Sequence, residues 1–136
     1  QLNWGVYSPD VVNNTFWAKP IKYLPAENLQ LVTNSDCTCW FIDKYLISQF
    51  KTLPIDWKSN FYGWGMDSII CALSYLNKQP VIRDSMHKII HHTGRGYATD
   101  KAYTHMQVML NQLPCHVKTV VDLCFSNSDD IVTLLK

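Results

Sequence analysis

The chain is 136 residues long, 47% hydrophobic and 17% charged, with a net charge of +1. That length holds one domain with a real core, and the composition excludes a disordered polar chain. Lys and Arg are scattered without a basic block, so nothing points to a nucleic-acid surface; no apolar run reaches membrane-span length, and no signal peptide is visible.

In chain order, Trp4 to Tyr7 reads as a short strand ended by a turn at Ser8-Pro9-Asp10. Residues 10 to 28 read as irregular. Asn13, Asn14, Pro20 and Pro25 punctuate them, and Phe16, Trp17 and Tyr23 add aromatic surface. Leu29 to Val32 is the next strand, followed by a turn at Asn34-Ser35-Asp36. Cys39 to Ile42 is a strand or the start of a helix running to Phe50. Thr52 to Tyr62 is a loop carrying Trp57 and Phe61.

Asp67 to Leu76 is the clearest helix. Ile69, Ile70, Leu73 and Leu76 fall on one face, and Pro80 follows its end. Val81 to Arg83 and Lys88 to His91 read as two short strands, with a tight turn at Gly94-Arg95-Gly96. Thr99 to Leu113 is a helix capped by Thr99, with Ala102, Met106, Met109, Leu110 and Leu113 inward and Pro114 as its stop. Val117 to Phe125 reads as a strand. Asp129 to Leu135 is a short helix capped by Ser128. The expected class is α/β, a mixed sheet with helices. There is no repeated βαβ rhythm and no glycine-rich phosphate turn.

The segment richest in chemistry is Tyr62-Gly63-Trp64-Gly65-Met66-Asp67, with His91-His92 about two dozen residues later. Glycines admit sharp turns and close ligand approach. The Trp offers a flat apolar face with one N–H, and the Asp can accept a proton. Gly63-Trp64-Gly65-x-Asp67 resembles the Gly-Trp-Gly-x-acid motif in the second half of several type A glycosyltransferases. The downstream order, a helix, a strand through Pro80-Val81-Ile82-Arg83, then a strand ending in His, is also similar. The likeness covers roughly residues 29 to 110.

The resemblance implies the C-terminal half of a nucleotide-diphospho-sugar transferase fold, with Asp67 as acceptor ligand and general base in an inverting reaction. It also implies a His that completes a site for Mn²⁺ or Mg²⁺, here His91 or His92. The chain departs from the family in lacking an Asp-x-Asp pair, the usual metal and diphosphate anchor. The expectation is therefore a single domain over 1–136 that is a fragment of a longer enzyme. Its partners would be a nucleotide sugar, a carbohydrate acceptor and the missing N-terminal half.

Each residue also has a plainer role. Asp67 at a helix start is favoured by the backbone N–H groups whether or not it is a base. His91 and His92 are adjacent, so on a strand only one would face a given pocket. Asp36, Trp40, Trp57 and Tyr62 suit an acceptor cleft, Asp by binding paired hydroxyls and the rings by stacking. Core packing competes for each ring. Arg95 and Tyr97, on the glycine turn, suit a lid over the donor phosphates, and Arg83 would face a phosphate or pair with Asp84.

Cys37-x-Cys39 with the two histidines makes a poor zinc pattern, having one intervening residue in the first pair and none in the second. Five cysteines are too odd a number for a disulfide framework, so a reducing, cytoplasmic setting is expected, with Cys71 as a core residue. The Asn13-Asn14-Thr15 sequon then reads as chance. Two other functions stand beside the transferase: a non-catalytic carbohydrate-binding module, and a small zinc-stabilised interaction domain.

Overall fold

The computed structural model describes residues 3–12, 18–24, 28–92 and 96–136. The sequon at Asn13, the rings of Phe16 and Trp17, and Arg95 with the start of its glycine turn lie outside the described residues. Five strands form one mixed, open sheet: β1 Val6–Val12, β2 Pro20–Leu24, β3 Leu29–Val32, β4 Phe41–Ile42 and β5 Val81–Ile90. The strand order is β2-β3-β5-β1-β4. β1 runs parallel to β5, and every other pairing is antiparallel. The helices are α1 Lys44–Thr52, α2 Met66–Leu76, α3 Thr99–Leu110 and α4 Cys115–Phe125, with 3₁₀ segments at Trp57–Ser59 and Asp129–Leu135. The class is α/β, as expected. No helix among the described residues is long and apolar enough to cross a membrane.

α2 is the centre of the fold. Every residue from Ser68 to Tyr75 is buried, because the helix packs against α1, α4 and the β1–β5 pair at once. A helix apolar all round belongs in such a place. Its polar side chains are satisfied there. Ser68 Oγ accepts from Asn34 Nδ2 at 2.7 Å, Ser74 Oγ donates to the Gln79 carbonyl at 2.8 Å, and the Tyr75 hydroxyl donates to the Val32 carbonyl. Burying a side chain such as Ile69 or Ile82 contributes about 1.5–3 kcal/mol. Lys78, with φ of 57°, ends the helix in a left-handed position.

Four sequence expectations change. Val117 to Phe125 is the helix α4, not a strand. Val117, Val120, Val121 and Cys124 are all buried at i, i+3, i+4, i+7 spacing, so the packing period outweighs the strand preference of valine. Ser8-Pro9-Asp10 does not turn. β1 runs through it, and β4 pairs only with Val6 and Tyr7, which leaves the prolyl nitrogen no ladder bond to break there. Part of the stretch expected to be irregular is β2. The two short strands around Arg83 and Lys88 are one strand, β5, interrupted by a bulge: Pro9 pairs with Asp84 but Asp10 pairs with Lys88.

Other elements lie where the pattern puts them. β3 matches in full, and Cys39 to Phe50 resolves into both alternatives, β4 and then α1. Ser128 Oγ accepts from Asp130 N–H at 3.3 Å and starts the last segment, which is 3₁₀. At α3, Ala98 is the cap and Thr99 the first helical residue. The five expected inward residues of that segment are all buried.

Candidate functional site

The Gly-Trp-Gly segment forms a turn running into α2. Gly63 and Gly65 have φ of 73° and 81°, in the left-handed region that glycine adopts without strain. Gly65 caps α2, and a Cβ there would lie 2.9 Å from Met106 Cγ on α3. The second glycine therefore serves both the turn and the close packing of the α2 start on α3. Asn60 holds the turn from below. Its Nδ2 donates to the Trp64 carbonyl at 2.7 Å, and its backbone carbonyl accepts from Gly63 N–H at 3.3 Å.

This turn lifts a set of rings to the surface. Trp64 Nε1 donates to the Tyr97 hydroxyl at 2.7 Å, and the two rings meet edge to face at 6.2 Å. Tyr97 lies 5.3 Å from Tyr62, which contacts Phe61 at 5.3 Å and His105 at 5.2 Å. Phe61 is 83% exposed and Tyr97 42% exposed. The result is a continuous aromatic ledge built from the turn before α2 and the segment leading into α3. Tyr97, expected on a lid over the donor phosphates, is bonded to Trp64, beside the residues expected to bind the acceptor.

Asp67 sits in the first turn of α2, partly buried, and its Oδ1 accepts from Ser68 N–H at 2.8 Å. Burial, helped by the charge of Asp36 and opposed by the Ser68 bond, pushes its carboxyl up to about 6. Asp36 is therefore a neighbour of Asp67. Its Oδ1 accepts from Thr38 N–H at 2.7 Å and from the Thr38 hydroxyl, closing an Asx turn. Burial, and then the Asp67 and Asp36 charges, push the Cys37 thiol up to about 11. Two expected acceptor residues, Asp36 and Asp67, are thus brought together, Asp67 three residues after Trp64.

Other expected residues are elsewhere. Trp40 is half-buried and packs against the core. Trp57 stacks on Phe50 at 4.4 Å. With Lys51, Asn60 and Met66 these two rings line a separate, largely apolar cleft of about 390 Å³. Arg83 turns to the sheet, donating to Gln30 Oε1 at 2.8 Å and to the Ala18 carbonyl at 3.2 Å. His91 follows β5, half-buried, with its N–H on the Val12 carbonyl at 3.1 Å; His92 is exposed. Among the described residues no hydrogen bond or ion pair joins either imidazole to Asp67. Among the described residues no group of three or more His, Cys, Asp or Glu side chains could hold a metal ion. All five cysteines are free thiols, and Cys71 is fully buried.

Sequence reasoning missed the part played by Phe61 and His105. Phe61 sat in a loop without pattern, and His105 was hidden as a lone histidine on a helix face. The spacing Phe61-Tyr62-x-Trp64 was the available signal for the ledge. Searches against protein-family models, curated proteins and solved structures find no match for this chain.

Proposed function

We propose that the chain binds a carbohydrate on the ledge of Phe61, Tyr62, Trp64 and Tyr97. On this reading it forms the acceptor-binding part of an enzyme that transfers a sugar from a nucleotide-sugar donor to a hydroxyl. The observation that carries the reading is the Trp64–Tyr97 bond, which ties the exposed rings to the helix start that bears Asp67. Sugar rings present flat C–H faces to aromatic rings and hydroxyls to carboxylates. A carboxyl raised to about 6 is matched to taking a hydroxyl proton near neutral pH. Asp36 beside it supplies a second acceptor for the same sugar. The nucleotide-binding half, and any Mn²⁺ or Mg²⁺ at the diphosphate, belong to the rest of such an enzyme.

A second reading, carbohydrate binding without transfer, is favoured by one feature. The Asp67 carboxylate already accepts the Ser68 N–H of its own helix, as a purely structural first-turn acid would. Titration of the chain with neutral oligosaccharides, followed by NMR, tests both. Shifts should gather on residues 61–67 and at Tyr97, and Tyr97→Ala should weaken binding about 5-fold, as expected for loss of one stacking ring worth about 1 kcal/mol. Nucleotide sugar with Mn²⁺ should give little heat in calorimetry. Shifts confined to other surfaces would end both readings. Asp67→Asn then separates them. Transfer by a longer chain carrying a donor-binding half should fall ~10²-fold or more if Asp67 is the base, with oligosaccharide binding retained.

A further inference from the structure

A second cluster lies on the sheet, at the β5 bulge, and the ledge uses none of it. Asp84 is buried at 5% exposure. Its Oδ2 accepts from the Tyr7 hydroxyl of β1 and faces His87 Nδ1 at 2.7 Å, while its Oδ1 accepts from Met86 N–H at 2.8 Å. Burial alone would raise this carboxyl. The bonds from Tyr7, His87 and Met86 outweigh it and hold it at about 2. An ionised carboxylate can only accept, so Nδ1 carries the proton and the lone pair of the neutral imidazole sits on Nε2.

The His87 side chain is 78% exposed. It lies in the β5 bulge, and the carboxylate it faces also holds Tyr7, the middle ring of a row. Tyr7 lies 5.8 Å from Trp4 and 6.0 Å from Phe41, and Phe41 is more than half exposed. Because the Tyr7 hydroxyl and His87 Nδ1 share one oxygen of Asp84, the ring row and the imidazole are neighbours. Other charged groups nearby are Lys88, next in the chain, and Asp10, opposite Lys88 in β1.

A buried acid orienting an exposed imidazole is the supporting half of a nucleophile arrangement. We propose that His87 is a nucleophile toward aryl esters seated on the Trp4–Tyr7–Phe41 row, with Asp84 as its positioning residue. The Nε2 lone pair adds to the ester carbonyl carbon. Collapse expels the aryl oxide with the C–O electron pair, leaving an acyl imidazolium whose charge lies beside Asp84. Water then adds to the acyl carbon, and Nε2 departs with its electron pair. The products are a carboxylate, a phenolate and protons released to solvent.

The test uses 4-nitrophenyl acetate and the whole chain. The protein should release 4-nitrophenolate ~10²-fold faster than an equal concentration of free imidazole, the lower end of the gain from a positioned group. His87→Gln, at an exposed site that should fold, should bring the rate down to that of the remaining imidazoles, while His116→Gln leaves it unchanged. Phe41→Ala should raise KM more than it lowers kcat. Asp84→Asn should move the rate–pH profile to lower pH, because the imidazolium loses its carboxylate; a merely structural Asp84 would leave the profile in place. A His87→Gln protein with the wild-type rate, or a wild-type rate no greater than that of imidazole, would overturn the proposal.

Discussion

Two carboxylates, Asp67 and Asp84, are drawn out of water in this fold and respond in opposite ways. Asp67 is held at about 6, above its ordinary value of 3.8, and Asp84 at about 2, below it. Asp84 is the less accessible to solvent, but Asp67 is the more closely surrounded by protein, and its desolvation is the larger. The sign is set by that desolvation against the hydrogen bonds each carboxylate receives. Asp84 faces three hydrogen-bond partners on two strands, whereas Asp67 is bonded only by Ser68 and its own backbone and has a like charge nearby. Hydrogen bonds to the charged form outweigh desolvation in one place and fail to do so in the other. One carboxyl is left with protons to exchange near neutral pH, and the other is a fixed anion.

The comparison can be broken first at Gly65. Gly65→Ala places a Cβ at φ of 81° and 2.9 Å from Met106 Cγ, which should cost about 2–4 kcal/mol. Denaturant unfolding reads the cost, and the NMR signals of the ledge should shift while those of His87 stay in place. Asp67→Asn comes next and has the opposite sign. With a folded pKa of about 6 against 3.8, the native state holds the proton more tightly, so stability falls as pH rises from about 4 to about 6. The Asn variant should be more stable than the parent at pH 7 by about 1–3 kcal/mol, equal to it below pH 4, and flat between. A parent whose stability rises over that window would refute the assignment.

Tyr7→Phe sharpens the other side. It removes one of the three partners of Asp84, should cost about 1 kcal/mol, and should move that carboxyl upward from about 2. The stability that Asp84 contributes above pH 4, which is lost as pH falls through 2, should then disappear at a higher pH. The smallest effect expected is Tyr97→Phe. The Trp64 bond is exposed, so stability should drop by about 0.5 kcal/mol or less, and oligosaccharide binding should weaken only slightly because the ring remains.

The two regions were not equally legible. The α2 start could be read because its signals are local: two glycines, a ring and an acid before an apolar stripe. β3 and the helix α3 were visible for the same reason. The Asp84 cluster was not, because its parts depend on pairing between β1 and β5, residues 77 apart in the chain for Tyr7 and Asp84. A bulge has no sequence period, and the reading split β5 in two at that point. α4 was misread although its spacing was helical, since three valines suggested a strand and nothing local said that α2 would cover them. His91 or His92 entered the reading as a metal ligand through its place after the glycine motif, which is a cue of sequence order and not of geometry. Tyr97 was in view, but its bond to Trp64 crosses 33 residues, a distance over which no local pattern speaks.

The strand order carries a consequence for the nascent chain. β5, the middle of the sheet, is also the last of its described strands in chain order, and so follows the others from the ribosome. Until residues 81–90 emerge, β1 lacks its long parallel partner, and β3 has only the β2 hairpin beside it. Residues 1–80 then expose strand edges, a hazard for association with other chains. Closure waits on contacts some 75 residues apart, which places this domain among slow folders. Pulse-labelling of stalled chains should show the Val6 and Leu31 amides unprotected at a stall that exposes 1–80, and protected once Ile90 is clear of the tunnel.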